Sequence, residues 1–375
     1  MKIIYACKDF DHIELAQLKE LSKLPEVDSI CSVSCTENFK EELSSFSTFK
    51  LIPDLNKRRF HKESRQEFEC ALKDFSPDIV YSVHGSSLIT NIISVLNRPQ
   101  FKKIAKVSYR GVIGNLHYIF NPESLFTHNS ARVDACLGTS EAVVSYLKKQ
   151  PLIKNKYIDV LYPGVSKEFL ENKALEYTNL LAETKDTKLK LGFLGSMKRK
   201  IKGFDVLANS ILSLPKDLQK QVKLYCIGDQ PKNISKYKNC ESIVFLGFDK
   251  NPWRHFKAFD YLAMPSRLEG LGRAGAEAMA LGLPVVTSGA GGIKEYITND
   301  KNGYLIPSNK PEDYKRLWIQ LLNDDSFNTT QSRHGVVSKE KSSFFAPEKI
   351  AHKLLETFKE ALYIRQRKSR TLTKK

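Results

Sequence analysis

No stretch of the 375-residue sequence approaches the roughly 20 consecutive apolar residues that a membrane-spanning helix needs, because its apolar runs are strand-sized and broken by Gly, Pro or charge. The opening MKIIYACKDFDH has no signal-peptide apolar core and no cleavage site and reads as a first strand, so a cytoplasmic protein is expected. Seven cysteines, Cys7, Cys31, Cys35, Cys70, Cys136, Cys226 and Cys240, form no C-x-x-C pair and no metal-ligand rhythm. Several lie in apolar strands, where a thiol acts as a small hydrophobe, so they are expected to be reduced and structural. Internal repeats and low-complexity segments are missing up to the C-terminal tail.

Acidic residues are few. With 42 Asp and Glu against 59 Lys and Arg, the formal charge is +17, which attracts an anionic partner: nucleic acid, acidic lipid headgroups or a phosphorylated small molecule. The excess gathers in NKRRFHK (56–62), FKKIAK (101–106), KLKLGFLGSMKRKIKG (188–203) and the tail RQRKSRTLTKK (365–375). These clusters are not interleaved with a nucleic-acid recognition element or with stacking aromatics, which argues against nucleic acid. Peripheral contact with an anionic membrane, on the inner face of the cytoplasmic membrane, fits NKRRF, FKKIAK and the tail.

Short β-rich segments alternate with helical ones, the pattern of parallel α/β sheets. The alternation runs from KIIYAC to IDVLY, pauses in a polar stretch, and restarts at LKLGFLGS. The expected organisation is a Rossmann-like domain over 1–165, a linker over 166–186 and a second Rossmann-like domain over 187–346. A C-terminal helix over 347–364 should pack back on the first domain through Ile350, Leu354, Leu355, Phe358 and Leu362, and a disordered basic tail over 365–375 should follow. Ligands bind at the carboxyl ends of strands in such sheets, so two domains facing across a cleft would hold the site there.

The segment SRLEGLGRAGAEAMALGLPVVTSGAGG (266–292) carries the strongest chemical signal. On a helix over about 271–281, Glu277 falls beside Ala274, Ala278 and Leu281, on the face to be buried, where a carboxylate needs a partner. Gly270 and Gly272 place the helix start after Glu269, leaving N–H groups of Gly270, Leu271 and Gly272 to meet a phosphate, with Glu277 able to accept from vicinal ribose hydroxyls. PVVTSGAGG enters another glycine turn with Gly291 and Gly292, yet G-x-G-x-x-G fails at Lys294, which disfavours a dinucleotide. LGFLGSMKRKIKG is not a P-loop, but Lys198, Arg199, Lys200 and Lys202 can neutralise a diphosphate without a metal.

GSMKRKIKGFDVL, IVFLGF, MPSRLEGLGRAGAEAMALGLPVV, GGIKEYI and NGYLIP stand in the order and spacing of glycosyltransferase family 4. The sequence therefore resembles the retaining GT-B enzymes that use nucleotide-diphosphate sugars. The resemblance implies GT-B architecture, no cofactor and no metal, and a UDP-, GDP- or ADP-sugar donor. The family's E-x7-E pair falls on Glu269, which would contact the donor sugar, and Glu277, which would hold the ribose. Lys202 would bind the diphosphate, with Gly195, Ser196, Lys198 and Arg199 beside it, and Gly247 and Phe248 would flank the base. Ser196 stands where many members have Arg, so a second cation comes from Lys198, Arg199 or Lys200.

In the N-terminal half the resemblance is carried by DIVYSVHG, TSEAVVSYL and VLYPGV. Arg110 and His84 are the catalytic candidates there, Tyr109-Arg110 standing where the family often has a histidine. Asp9, Asp11 and His117 are acceptor-side candidates. The D-x-D of KDFDH invites a metal reading, but Asp11 to Glu14 fits a capping box better. The implied function is transfer of a sugar to a hydroxyl of a glycan or lipid-linked acceptor, in cell-surface polysaccharide or lipopolysaccharide-type synthesis. Its rivals are a sugar-nucleotide epimerase or inverting transferase of the same fold, and a non-catalytic basic protein that binds membrane or nucleic acid.

Overall fold

The computed structural model describes residues 1–112, 125–153, 156–175, 187–237 and 239–372. The chain divides into two units, one formed by Met1–Val165 with Phe345–Lys375 and the other by Ser166–Phe344.

The first unit is built on strands β1 (Lys2–Cys7), β2 (Ser29–Ser34), β3 (Thr48–Leu51), β4 (Ile79–Val83), β5 (Ala105–Arg110), β6 (Ala135–Gly138) and β7 (Tyr157–Val160). They form one sheet in the order β3-β2-β1-β4-β5-β6-β7, with every neighbouring pair parallel. Near-continuous apolar strands such as KIIYAC and IVYSV are what a sheet covered on both faces requires. Helices α1 (His12–Leu21), α2 (Lys62–Phe75), α3 (Ser86–Leu96) and α4 (Glu141–Lys148) accompany it. The second unit repeats the plan with β8 (Leu189–Leu194), β9 (Val222–Ile227), β10 (Ile243–Gly247), β11 (Tyr261–Met264), β12 (Val285–Thr287) and β13 (Gly303–Leu305), in the parallel order β10-β9-β8-β11-β12-β13. Its longer helices are α5 (Lys167–Ala174), α6 (Phe204–Leu212), α7 (Arg273–Ala280), α8 (Pro311–Leu322) and α9 (Phe327–Lys341).

In each sheet the strand order reverses once, between β1 and β4 and between β8 and β11. At such a switch point the two connections leave in opposite directions and open a crevice at the strand ends. The loops carrying His84, Lys202 and Glu269 all follow a switch-point strand.

Helix α10 (Pro347–Leu372) returns the chain to the first unit, where Ile350, Leu354, Leu355 and Phe358 join the core around Tyr5 and Tyr81. The expectation of a disordered tail from residue 365 is corrected by this helix, which continues as far as Leu372. The physical reason is charge and not apolar burial: the buried Arg365 donates to both carboxylate oxygens of the fully buried Asp134 at 2.9 and 2.7 Å. Lys368 adds a third contact at 3.1 Å. A second correction concerns FKKIAK, whose Lys106 is not on the surface but fully buried, its ammonium on Ser82 Oγ and the Val107 carbonyl. Burial pushes the Lys106 pKa well below its usual value. The short edge strand β3 was also not anticipated, because TFKL alternates between exposed and half-buried positions and lacks an apolar run.

All seven cysteines are free thiols, and five of them are buried. Among the described residues no helix is long and apolar enough to cross a membrane.

Removing one member of a buried ion pair strands the other's charge, at a cost of about 3–5 kcal/mol. Asp134→Ala, which leaves Arg365 without its carboxylate, is expected to lose that much in urea unfolding of the full chain.

Candidate active site

The connection after β8 runs from Gly195 through a 3₁₀ turn at Lys200–Lys202 into α6, and the connection after β11 runs from Pro265 into α7. They are joined residue to residue. Arg267 donates its backbone N–H to the Ile201 carbonyl at 2.7 Å, its guanidinium to the Lys200 carbonyl at 2.7 Å, and both outer nitrogens to Asp205 at 2.8 Å each. Hydrogen bonds from Arg267 hold the Asp205 carboxyl below its usual pKa, and the same pairing raises that of the guanidinium. Gly203 sits at φ 72°, and a Cβ there would lie 1.8 Å from the Pro265 carbonyl oxygen, so only glycine allows the two loops this close.

The clamp brings Lys202 Nζ to 2.8 Å from Glu269 Oε2, which also accepts from Ser266 Oγ at 3.1 Å. Both charged side chains keep partial solvent access, 26% for Lys202 and 14% for Glu269, so a ligand can reach them. Gly291 closes the other side. At φ 64° its missing Cβ would fall 1.9 Å from the Glu269 carbonyl, and the Gly292 N–H donates to the Gly270 carbonyl at 2.8 Å.

Helix α7 starts at Arg273 behind Gly272 and not at about residue 271. Gly270, Leu271 and Gly272 are buried in the turn before it, which differs from the exposed start expected. Glu277 is buried, as its place on the helix predicts, and the partner it needs is Trp253, whose indole N–H donates to Oε2 at 2.9 Å. Trp253 lies in the 3₁₀ turn Pro252–Ala258, edge-on to Phe169 at 5.6 Å. The buried Tyr296 hydroxyl donates to the Gly272 carbonyl at 2.8 Å, and burial, reinforced by Glu269 and Glu277, pushes its pKa well up.

Of the other donor-side residues, Gly195 borders the loop, Ser196 Oγ donates to Asp229 at 3.1 Å, and Lys198 and Arg199 are exposed. Gly247 ends β10, and Phe248 after it is 76% exposed, a bare aromatic ring. A cavity of about 410 Å³ adjoins the Glu269 loop, lined among others by Ser266, Arg267, Ser288, Gly289 and Lys294.

In the first unit, His84 directly follows β4 at φ 56° and its Nε2 lies 3.2 Å from Glu14 Oε1. Glu14 is 5% exposed and His84 39%, so the carboxylate backs the imidazole from inside. The ring of Tyr109 packs edge-on to His84 at 5.8 Å. Arg110 ends β5 and donates to the Val112 carbonyl at 3.1 Å. Asp11 caps α1, accepting from the Ile13 and Glu14 N–H groups. Asp9 accepts from Thr36 and Asn38, and His117 lies outside the described residues.

The residues not singled out beforehand are Trp253, Asp205, Arg267 and Glu14. Trp253 alone left a trace, being one of only two tryptophans and standing shortly after Phe248.

Residues 188–324 match the family model described as Glycosyl transferases group 1. The glycosyltransferase MJ1178 of Methanocaldococcus jannaschii is 31% identical over 226 residues, a match that spans 58% of this chain and 58% of that protein. Among solved structures, Anabaena Alr3699/HepE in complex with UDP superposes with a TM-score of 0.73 at 17% identity, covering 96% of this chain and 100% of HepE. Sucrose-phosphate synthase of Thermosynechococcus elongatus gives 0.74 at 15% identity, covering 96% and 99%. The structural likenesses show the fold, two Rossmann-like domains of the GT-B type. The family model and the relative support a place among the group 1 glycosyltransferases.

Gly291→Ala is expected to lower stability by at least about 1–2 kcal/mol from the left-handed backbone alone, read as a fall in melting temperature. The Asp205 pKa is lowered in the folded state, so the contribution of its pair is full above the unfolded value of about 3.9 and fades as pH falls through the folded one. The stability difference between wild type and Arg267→Met should therefore shrink from about pH 5 to about pH 3.

Proposed function

We propose that the protein is a retaining glycosyltransferase that moves a hexose from a nucleoside-diphosphate sugar to a hydroxyl of a glycan or lipid-linked acceptor, without a metal, in cell-surface polysaccharide or lipopolysaccharide-type synthesis. The observation that carries the reading is the Lys202–Glu269 pair, partly open to solvent at the switch point of the second sheet, with Glu277 behind it in α7. The diphosphate binds Lys202 and the exposed Lys198 and Arg199, and the ammonium leaves Glu269 for phosphate oxygen. As the bond from the anomeric carbon to the diphosphate breaks, negative charge grows on the leaving oxygen beside Lys202, and positive charge on the sugar beside the carboxylate of Glu269. The acceptor oxygen bonds to the same face of that carbon, and its proton passes to the departing phosphate. Glu277 accepts from the ribose hydroxyls while Trp253 holds its other side, and Phe248 offers a ring to the base. Since the HepE structures hold UDP and UDP-glucose, uridine diphosphate is the first nucleotide to test.

The first unit supplies the acceptor side, with His84 and Arg110 at the strand ends. One observation there favours a second reading. An inverting transferase needs a positioned base, and His84 backed by the buried Glu14 has that form. Product stereochemistry decides: a product that keeps the donor's anomeric configuration supports retention, and the opposite configuration makes His84 the base.

UDP at about a hundred times its dissociation constant should stabilise the native state by about 2.7 kcal/mol. That shift is expected in the presence of a chelator and should vanish in Glu277→Ala. If no nucleoside diphosphate shifts the wild type, the reading is wrong. Lys202→Ala should cut kcat by roughly 10²–10³-fold, the effect of deleting a group aimed at developing charge.

A further inference from the structure

The first unit carries a pocket lined by none of the residues assigned to the transfer reaction. It has a volume of about 380 Å³, and its apolar wall is formed by Phe60, Ile93, Leu125, Phe126 and Leu152. Four of these are large side chains left open to solvent: Phe60 at 45%, Leu125 at 37%, Phe126 at 42% and Leu152 at 53%. Scattered exposed apolar residues are ordinary, but a contiguous group lining one pocket marks an interaction site.

The chain is held in this arrangement against its own preferences. Phe60 has φ 57°, a left-handed backbone that a bulky side chain rarely adopts. The loop is pinned there by the fully buried Asn91, which accepts from the His61 N–H at 3.1 Å and donates to the carbonyls of Leu55 and Arg58 at 2.9 Å each. Phe60 then stands edge-on to Phe126, with ring centroids 5.2 Å apart.

Polar groups at the pocket say more about the occupant. Asn129 lines it at 3% exposure, and its Oδ1 is buried with no hydrogen-bond partner among the described residues. That oxygen has no solvent access, so it offers nothing to an occupant, and the charge near the pocket is the better guide. Exposed cations lie close to the apolar wall in the chain: Lys57, Arg58 and Lys62 flank Phe60, and Lys148 and Lys149 precede Leu152, with Lys57 paired to Asp54 at 3.3 Å and Glu63 also nearby.

We propose that this pocket is the docking surface for an anionic lipid bilayer, with Phe60, Leu125, Phe126 and Leu152 entering the headgroup boundary and the neighbouring cations on lipid phosphates. Apolar side chains with a basic rim are the combination by which proteins lie on such membranes. The inference deepens the proposed function by naming the surface from which a lipid-linked acceptor is reached, and it rests on that reading for its purpose, not for its chemistry.

The test is flotation of the full chain with vesicles of phosphatidylcholine containing 30 mol% phosphatidylglycerol, against phosphatidylcholine alone. Wild type is expected to bind the anionic vesicles and not the neutral ones. Phe60→Ser with Leu152→Ser should weaken binding at least about tenfold, the loss expected on withdrawing apolar side chains from a membrane boundary. Arg58→Glu with Lys149→Glu should weaken it further at low salt, by about fivefold or more for each cation removed. Neither pair touches the Lys202–Glu269 site, so the UDP-induced rise in melting temperature must persist in both and shows that they fold. Wild type that fails to float with the anionic vesicles, or a Phe60/Leu152 variant that floats as well as wild type, overturns the proposal and makes a protein partner the better occupant. Neither result bears on the nucleotide site, whose own failure would appear as a missing UDP shift.

Discussion

Everything distinctive about the second unit depends on two loops being held in contact at the point where its strand order reverses. Left alone, the connections after β8 and β11 would diverge, because their strands lead to opposite sides of the switch point. Arg267 prevents it with a planar fork that bonds Asp205 at both ends while its backbone and a third contact grip residues 200 and 201. A lysine could not replace it, since a point charge makes no bidentate pair. The missing Cβ of Gly203 lets the loops touch, and Lys202 next to it is delivered to Glu269. The charged pair is thus a product of the loop contact and contributes little to it, because a partly solvated ion pair is worth about 1 kcal/mol or less. That weakness leaves the lysine able to change partner, as the proposed binding of a diphosphate requires.

The first unit reaches a comparable result by other means. Its switch point, between β1 and β4, also brings an acid and a base together, but Glu14 comes from the helix after β1 and lies almost wholly buried. A carboxylate so placed fixes the orientation of the imidazole that faces outward. Loss of the Glu14 side chain therefore frees the His84 ring to turn even though Glu14 has little contact with solvent. Two sheets of one plan have been given different chemistry, cation over carboxylate in one and imidazole over carboxylate in the other, by what the strand-end loops carry.

The alternation of strands and helices was legible in the sequence because parallel strands buried on both faces leave unbroken apolar runs, and KIIYAC, LKLGFL and YLAM are such runs. Strand β3 escaped because an edge strand with one half-buried face has no such run. In the site, Glu269, Glu277 and Lys202 could be read because their chemistry is local to short motifs with characteristic spacing. Trp253, Asp205, Arg267 and Glu14 could not, since each acts on a residue distant in the chain: Arg267 on Asp205 across 62 positions and Glu14 on His84 across 70. Nothing in the local pattern distinguishes an arginine that clamps a loop from one that faces water.

The same distinction governs the net charge of +17. Read as composition, it is one attraction toward anions, but the fold separates it into parts that do different work. Arg132 and Arg365 are buried around Asp134, which also accepts from the backbone N–H of Lys106, so their charge is spent on joining β5, β6 and α10. Lys198, Arg199 and Lys202 are gathered in the connection after β8, where Lys202 pairs with Glu269. Among the cations that stay exposed on the first unit are Lys57, Arg58 and Lys62 of NKRRFHK and Lys148 and Lys149 at the α4 end, close in the chain to residues of the pocket lined by Phe60 and Phe126. Charge that is buried or committed to a site cannot steer the protein to a surface, so the direction of steering is set by this smaller remainder and not by the total.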